Sequence, residues 1–147
     1  MRAKGIPCLG IEPTHQTAEA ARNKGIDTVE KFFNTQLANV LPPADLVIAN
    51  NVLAHVPDIK DFVRGISIIL KPRGQASIEF PHLLRLLEGN QFDTIYHEHT
   101  SYHTIISLQP FFEQFDLELF NVERVQSHGG SIRCFVQHKS GPHSLNE

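Results

Sequence analysis

Asp45-Leu46-Val47-Ile48-Ala49-Asn50-Asn51 is the segment from which the fold is read. Its four central residues form a continuous apolar run bounded by turn-forming residues, the pattern of a parallel strand buried on both faces. Asn50 and Asn51 mark its C-terminal end. Towards the N-terminus, Leu9 to Ile11 reads as a strand that runs out at Glu12 and is broken by Pro13. Thr14 is expected to cap a helix with its hydroxyl, Thr17 to Asn23 continue that helix, and Gly25 stops it. Ile26 to Val29 is a second short strand. Towards the C-terminus, Asp58 caps a helix running to about Leu70, with Phe62, Ile66 and Ile69 on one face, and Lys71-Pro72-Arg73-Gly74 ends it. A strand over Gln75 to Phe80 follows, then a helical turn at Leu83 to Leu87 and the polar, aromatic stretch Asn90 to Thr104. A helix around Leu108 to Phe115 and two antiparallel strands, Leu117 to Val125 and Ser131 to His138, complete the chain. Strands alternating with helices predict an α/β layered domain with right-handed crossovers.

Composition narrows the function. The 147 residues carry a formal net charge of −3 with both signs interspersed, so no basic stripe marks a nucleic-acid partner. The longest apolar runs, Leu46 to Ala49 and Ile66 to Leu70, are too short to cross a bilayer, and no membrane role is expected. Cys8 and Cys134 form no metal-type pair, and nothing near the start resembles a signal peptide. A reducing, cytoplasmic setting is the expectation. A neutral or anionic small molecule remains open as ligand, because a few local cations suffice for it.

In an open α/β sheet, ligands bind at the carboxyl ends of the strands, so Glu12, Phe32, Asn50, Asn51, His55 and the segment Phe80 to His82 are expected to share one rim. Glu12 stands where nucleotide-binding folds use a carboxylate to accept hydrogen bonds from ribose hydroxyls, although a strand-terminal Glu is also commonly just solvated. Nine histidines are present, with His97, His99 and His103 crowded into seven residues. Ligand-type pairs exist among them, but with no HExxH and no CxxC motif no metal is expected. Without further context, Tyr96 to His103 also reads as a polar loop facing solvent. Gly129-Gly130 lies between His128 and Arg133, so backbone amides can approach a phosphate while Arg133 pairs with its charge. A glycine hairpin turn explains the same residues, and both readings can hold. His82 either touches substrate or serves as a local hydrogen-bonding residue.

Gly10-Ile11-Glu12-Pro13, Ala49-Asn50-Asn51-Val52-Leu53-Ala54-His55, Tyr96-His97-Glu98-His99 and Ser127-His128-Gly129-Gly130-Ser131-Ile132-Arg133 occur together and in this order. Together they resemble the sugar C-methyltransferases that act on nucleotide-linked ketosugars, over about Gly5 to Lys139. The resemblance implies a Rossmann-like class I methyltransferase fold, S-adenosyl-L-methionine as cofactor and a nucleotide-linked sugar as substrate. It also implies a partial domain, without the family's zinc domain, first strand, glycine-rich loop and most of its C-terminal domain. Residues 1–90 are then the partial cofactor-binding domain, and 91–147 the catalytic segment with the start of the substrate-binding domain. Loss of a central strand leaves unpaired strand edges, a template for self-association.

By the same resemblance Glu12 holds the ribose, Phe32 and Phe33 flank the adenine, and Asn50 and Asn51 line the methionine end, although the two phenylalanines serve equally well as core. Tyr96, Glu98 and His99 match the catalytic cluster, His99 as general base, and His55 a further active-site histidine. His128, Gly129, Gly130 and Arg133 fall to the substrate. The chemistry suits these residues. A ketone acidifies the neighbouring C–H, and a histidine can remove that proton near neutral pH. Tyr96 and His55 can donate to the developing enolate oxygen. Glu98 can fix the His99 tautomer if the segment is a loop. The carbanion then attacks the sulfonium methyl in line. Two rival readings remain: a non-catalytic remnant that binds ligand weakly or needs a partner, and a methyltransferase with another carbonyl-containing acceptor.

Overall fold

The computed structural model describes residues 4–144, so the first three and last three residues of the two expected segments lie outside it. Two sheets carry the fold. In the first, β1 (Leu9–Ile11) pairs in parallel with β2 (Asp27–Val29), and α1 (His15–Asn23) connects them. In the second, the order is β3 (Ala44–Asn50), β4 (Leu70–Pro81), β6 (Ser131–His138), β5 (Leu117–Val125). β3 is parallel to β4, β6 is antiparallel to β5, as the two apolar runs at the C-terminus predict, and β6 is also antiparallel to β4. The strands on the two sides of residue 90 thus share one sheet.

The helix ends follow local chemistry. Asp58 caps α3 (Ile59–Ile69) by accepting from the Asp61 amide at 3.0 Å, as its position predicts. Asn34 does the same for the short α2 (Thr35–Ala38), and Thr104 and Ser107 form a reciprocal capping box on α5 (Ile105–Glu113). The expected Thr14 cap does not form. The Thr14 amide instead donates to the Glu12 carboxylate at 2.8 Å, which closes the turn from β1 into α1.

Lys71 to Gly74, expected to be a break after the helix, lies within β4 and is absorbed by a register shift opposite Ala44 and Leu46. Gly74 is needed there, because a Cβ would stand 2.8 Å from the Ala44 carbonyl oxygen. α3 and α5 contribute to a single core with Ala49, Ala76, Ile78, Phe80, Cys134 and Val136. That burial pushes the Cys134 thiol up to about 12, so it packs as a small apolar residue. Strand alternation points Leu46 and Ile48 to the opposite face, where they remain 42% and 46% exposed. Burial of β3 on both faces is therefore corrected to burial on one. Among the described residues β3 pairs with β4 alone and β1 with β2 alone, so each has an outer edge without a strand.

Candidate active site

At the end of β3 the chain turns through Asn51, whose φ of +54° is in the left-handed region that Asn tolerates better than most residues. The Asn51 amide continues the ladder by donating to the Glu79 carbonyl at 2.8 Å. A 3-10 turn over Leu53–His55 follows, with Leu53 and Ala54 buried so that His55 is delivered to the rim. The Ala54 carbonyl accepts from the amide and the hydroxyl of Thr100 at 2.8 and 3.0 Å, which stitches the 94–101 loop to this turn. The stitch brings together residues more than forty apart in sequence. The His55 and His99 ring centroids are 4.8 Å apart, and those of Tyr96 and His99 4.4 Å.

Backbone carbonyls fix both rings. His99 Nδ1 is 2.7 Å from the Thr94 carbonyl and His55 Nδ1 is 2.9 Å from the Glu98 carbonyl. A carbonyl only accepts, so each Nδ1 carries the proton and each neutral ring keeps its lone pair on Nε2. The Tyr96 hydroxyl, 3.3 Å from His99 Nε2, is then the donor of that pair. The tautomer role expected of the Glu98 carboxylate thus falls to Thr94, and Glu98 acts through its main chain on His55. The one proton of neutral His55 is taken up by the Glu98 carbonyl, which leaves Tyr96 as the neutral donor of the two expected. Long-range proton–nitrogen NMR correlation is expected to show both rings as Nδ1–H tautomers with unprotonated Nε2. An Nε2–H tautomer at His99 would remove it as a base.

The glycine motif forms a turn in which His128, Gly129 and Gly130 have φ of +49°, +75° and +120°. Gln91 Nε2 donates to the Gly129 carbonyl at 2.8 Å, and Asn51 Nδ2 lies 3.2 Å from His128 Nε2. The φ of +75° at Gly129 favours glycine, and a Cβ there would stand 2.5 Å from Gln91 Oε1 and displace that side-chain amide. Beneath the turn, the buried Glu79 carboxylate accepts from Ser127 Oγ at 2.9 Å and from Arg133 Nη2 at 2.7 Å. Arg133 also pairs with Glu123 at 3.4 Å, and the Glu79 hydrogen bond holds its guanidinium above the usual arginine range. His82 links β4 to both loops: its amide donates to the Gly130 carbonyl, and it bridges to His103. Desolvation lowers the pKa of both His82 and His103 and favours their neutral forms.

A cavity of about 490 Å³ opens among these pieces. Six of the residues singled out in the sequence line it: Asn51, His55, Tyr96, His99, His128 and Gly129. Pro81, within the expected rim segment, lines it too. Gln91, Asp93 and Thr94 complete the wall and were not singled out; their signal was their place in the polar stretch just before Tyr96. Glu12, Phe32, Phe33, Asn50, Glu98, Gly130 and Arg133 do not line this cavity. Glu12 and Asn50 stand at the ends of β1 and β3. Phe32 is 76% exposed past the end of β2, whereas Phe33 is committed to the core, edge-on to Phe62 at 5.5 Å.

Parallel strands with ligand-type residues at their carboxyl ends define a Rossmann-like domain, and solved structures of S-adenosylmethionine-dependent methyltransferases share its fold. Magnesium protoporphyrin IX methyltransferase from Synechocystis PCC 6803, with bound SAH, superposes with a TM-score of 0.69 at 11% identity over 89% of this chain and 64% of its own. A SAM-dependent methyltransferase from Thermotoga maritima, a possible histamine N-methyltransferase, gives 0.63 at 19% identity over 86% and 71%. Residues 1–122 match the family model of a methyltransferase domain, and the chain belongs to that family. It is 34% identical to the C-methyltransferase NovU of Streptomyces niveus over 148 residues, 98% of this chain. The chain spans about a third of that relative's length, 35%.

Proposed function

We propose that this chain carries the cofactor rim and the catalytic segment of an S-adenosylmethionine-dependent C-methyltransferase that acts on the carbon next to a ketone in a nucleotide-linked sugar. The observation that carries the reading is the His55, Tyr96 and His99 cluster, with both imidazoles held so that Nε2 is the basic atom. The C-methyltransferase relative supports the same chemistry, and its sequence likeness extends across nearly the whole chain.

The residues on the rim suit an adenosyl ligand. One Glu12 oxygen closes the turn with Thr14, and the other has no partner among the described residues, as a ribose acceptor requires. Phe32 offers an exposed ring where an adenine would stack. Asn51 Oδ1 is buried without a hydrogen-bond partner, and the ammonium of a methionine end would supply the missing donor. The bound cofactor supplies an activated methyl group on a positively charged sulfur. In this reading residues 1–90 present that cofactor, and 91–147 the proton chemistry.

His99 Nε2 takes the proton from the acidic carbon, and its Nδ1–H stays on the Thr94 carbonyl, which strengthens the hydrogen bond as the ring becomes cationic. The Tyr96 hydroxyl moves from Nε2 to the enolate oxygen. His128 and Gly129 form the opposite wall against the sugar, and Arg133 supports that wall through Glu79. Calorimetric titration with S-adenosylhomocysteine is expected to show saturable binding. Glu12→Ala should weaken it about 10-fold or more, the worth of a charge-assisted hydrogen bond. Equal affinity in the variant would overturn the assignment of Glu12.

A further inference from the structure

The polar groups that face the cavity are unevenly balanced between acceptors and donors. Asp93 lines it, and its carboxylate has no hydrogen bond or ion pair among the described residues, whereas Glu79 and Glu88 are paired with Arg133 and Arg85. Gln91 uses its amide N–H on the Gly129 carbonyl and keeps Oε1 as a free acceptor. His55, with its proton on the Glu98 carbonyl, also presents an acceptor. Among the described residues no lysine or arginine is part of the lining. Arg133, the cation expected for a phosphate, is bound to Glu79 and Glu123 instead.

We infer that the cavity selects its acceptor by hydrogen-bond donors, with Asp93 as the specificity-determining residue that takes hydroxyl or ammonium groups, and that phosphate and carboxylate groups stay outside it. This rests on the reading of the cavity as the acceptor site. Asp93 is well placed for the task. It belongs to the 3-10 turn Phe92–Thr94, whose last carbonyl holds His99, so the selecting residue is the chain neighbour of the residue that anchors the base. An uncompensated carboxylate repels a second anion and is satisfied best by N–H or O–H donors. A ketosugar with free hydroxyls or an amino substituent meets that requirement. A uronate does not.

The test uses three sugars that differ at one substituent: methyl glucoside, a methyl aminoglucoside carrying an ammonium, and methyl glucuronide. Binding is read from the NMR shifts of the His55 and His99 rings. The ammonium sugar is expected to bind about 10-fold tighter than the glucuronide, with the glucoside between them. Asp93→Asn, an isosteric change on an exposed residue, should collapse that range to about 2-fold. Glucuronide binding as tight as the glucoside, or a range of about 10-fold that persists in Asp93→Asn, would overturn the inference and leave the acceptor-site reading intact. If none of the sugars moves either ring while S-adenosylhomocysteine still binds, both fall.

Discussion

Replacing His99 by Ala is expected to lower kcat/KM for methyl transfer by about 10²–10⁴, the usual contribution of a positioned general base, with S-adenosylhomocysteine affinity unchanged. The split follows from position. His99 sits on the 94–101 loop, and its contacts are to Thr94, Tyr96 and His55, which line the cavity, and to Tyr102. Glu12 and Phe32 lie at the ends of other strands. The ring is partly exposed, so its loss leaves no large void in the core and should shift the melting temperature little. Added imidazole should restore part of the rate in His99→Ala, because the missing group is then supplied from solution. Full activity in the variant would move the base to His55, whose Nε2 is held in the same tautomer by the Glu98 carbonyl. A parallel loss of cofactor affinity would mean that the loop, rather than the ring, had been damaged.

The distribution of what could be read in the sequence has physical causes. Helix caps at Asp58 and the strand pair 117–125 and 131–138 depend on neighbouring residues, and the structure places them as their local patterns predict. The exposed face of β3 depends on which elements cover it, and an apolar run of four residues does not carry that information. At the site, Tyr96, His99 and His55 are singled out by the motifs that resemble the sugar C-methyltransferases, and their side chains are of types that perform chemistry. Thr94 was not, because it acts through a main-chain carbonyl that every residue possesses. Glu98 illustrates the same limit from the other side: its carboxylate drew attention, and its carbonyl holds the ring. Arg133 was readable as a phosphate ligand only while its partner was unknown. Glu79 is 54 residues away in sequence and directly beside it across the β4 and β6 ladder.

That pairing gives Arg133→Ala an expected stability effect that a surface phosphate ligand would not show. Glu79 is 5% exposed, and removal of the guanidinium leaves its carboxylate with Ser127 Oγ as its remaining side-chain partner. Breaking a fully buried pair costs about 3–5 kcal/mol. Because the Arg133 side chain is 32% exposed and solvent screens that side, the cost should fall to about 2 kcal/mol. Urea denaturation without ligand measures it directly. Replacing both partners, as in Glu79→Gln with Arg133→Ala, removes the stranded charge and should recover more than half of the loss, which a double-mutant cycle will register as coupling. The turn should respond as well. Ser127 hangs from the same carboxylate, and its carbonyl accepts from the Gly130 amide at 2.9 Å, which ties the three left-handed residues that follow it to this network. Weaker sugar binding in Arg133→Ala would then accompany the lost stability and be repaired with it in the double variant. If sugar-nucleotide affinity drops while the ligand-free urea midpoint stays where it was, Arg133 contacts the phosphate itself, and its bond to Glu79 is one that the substrate displaces.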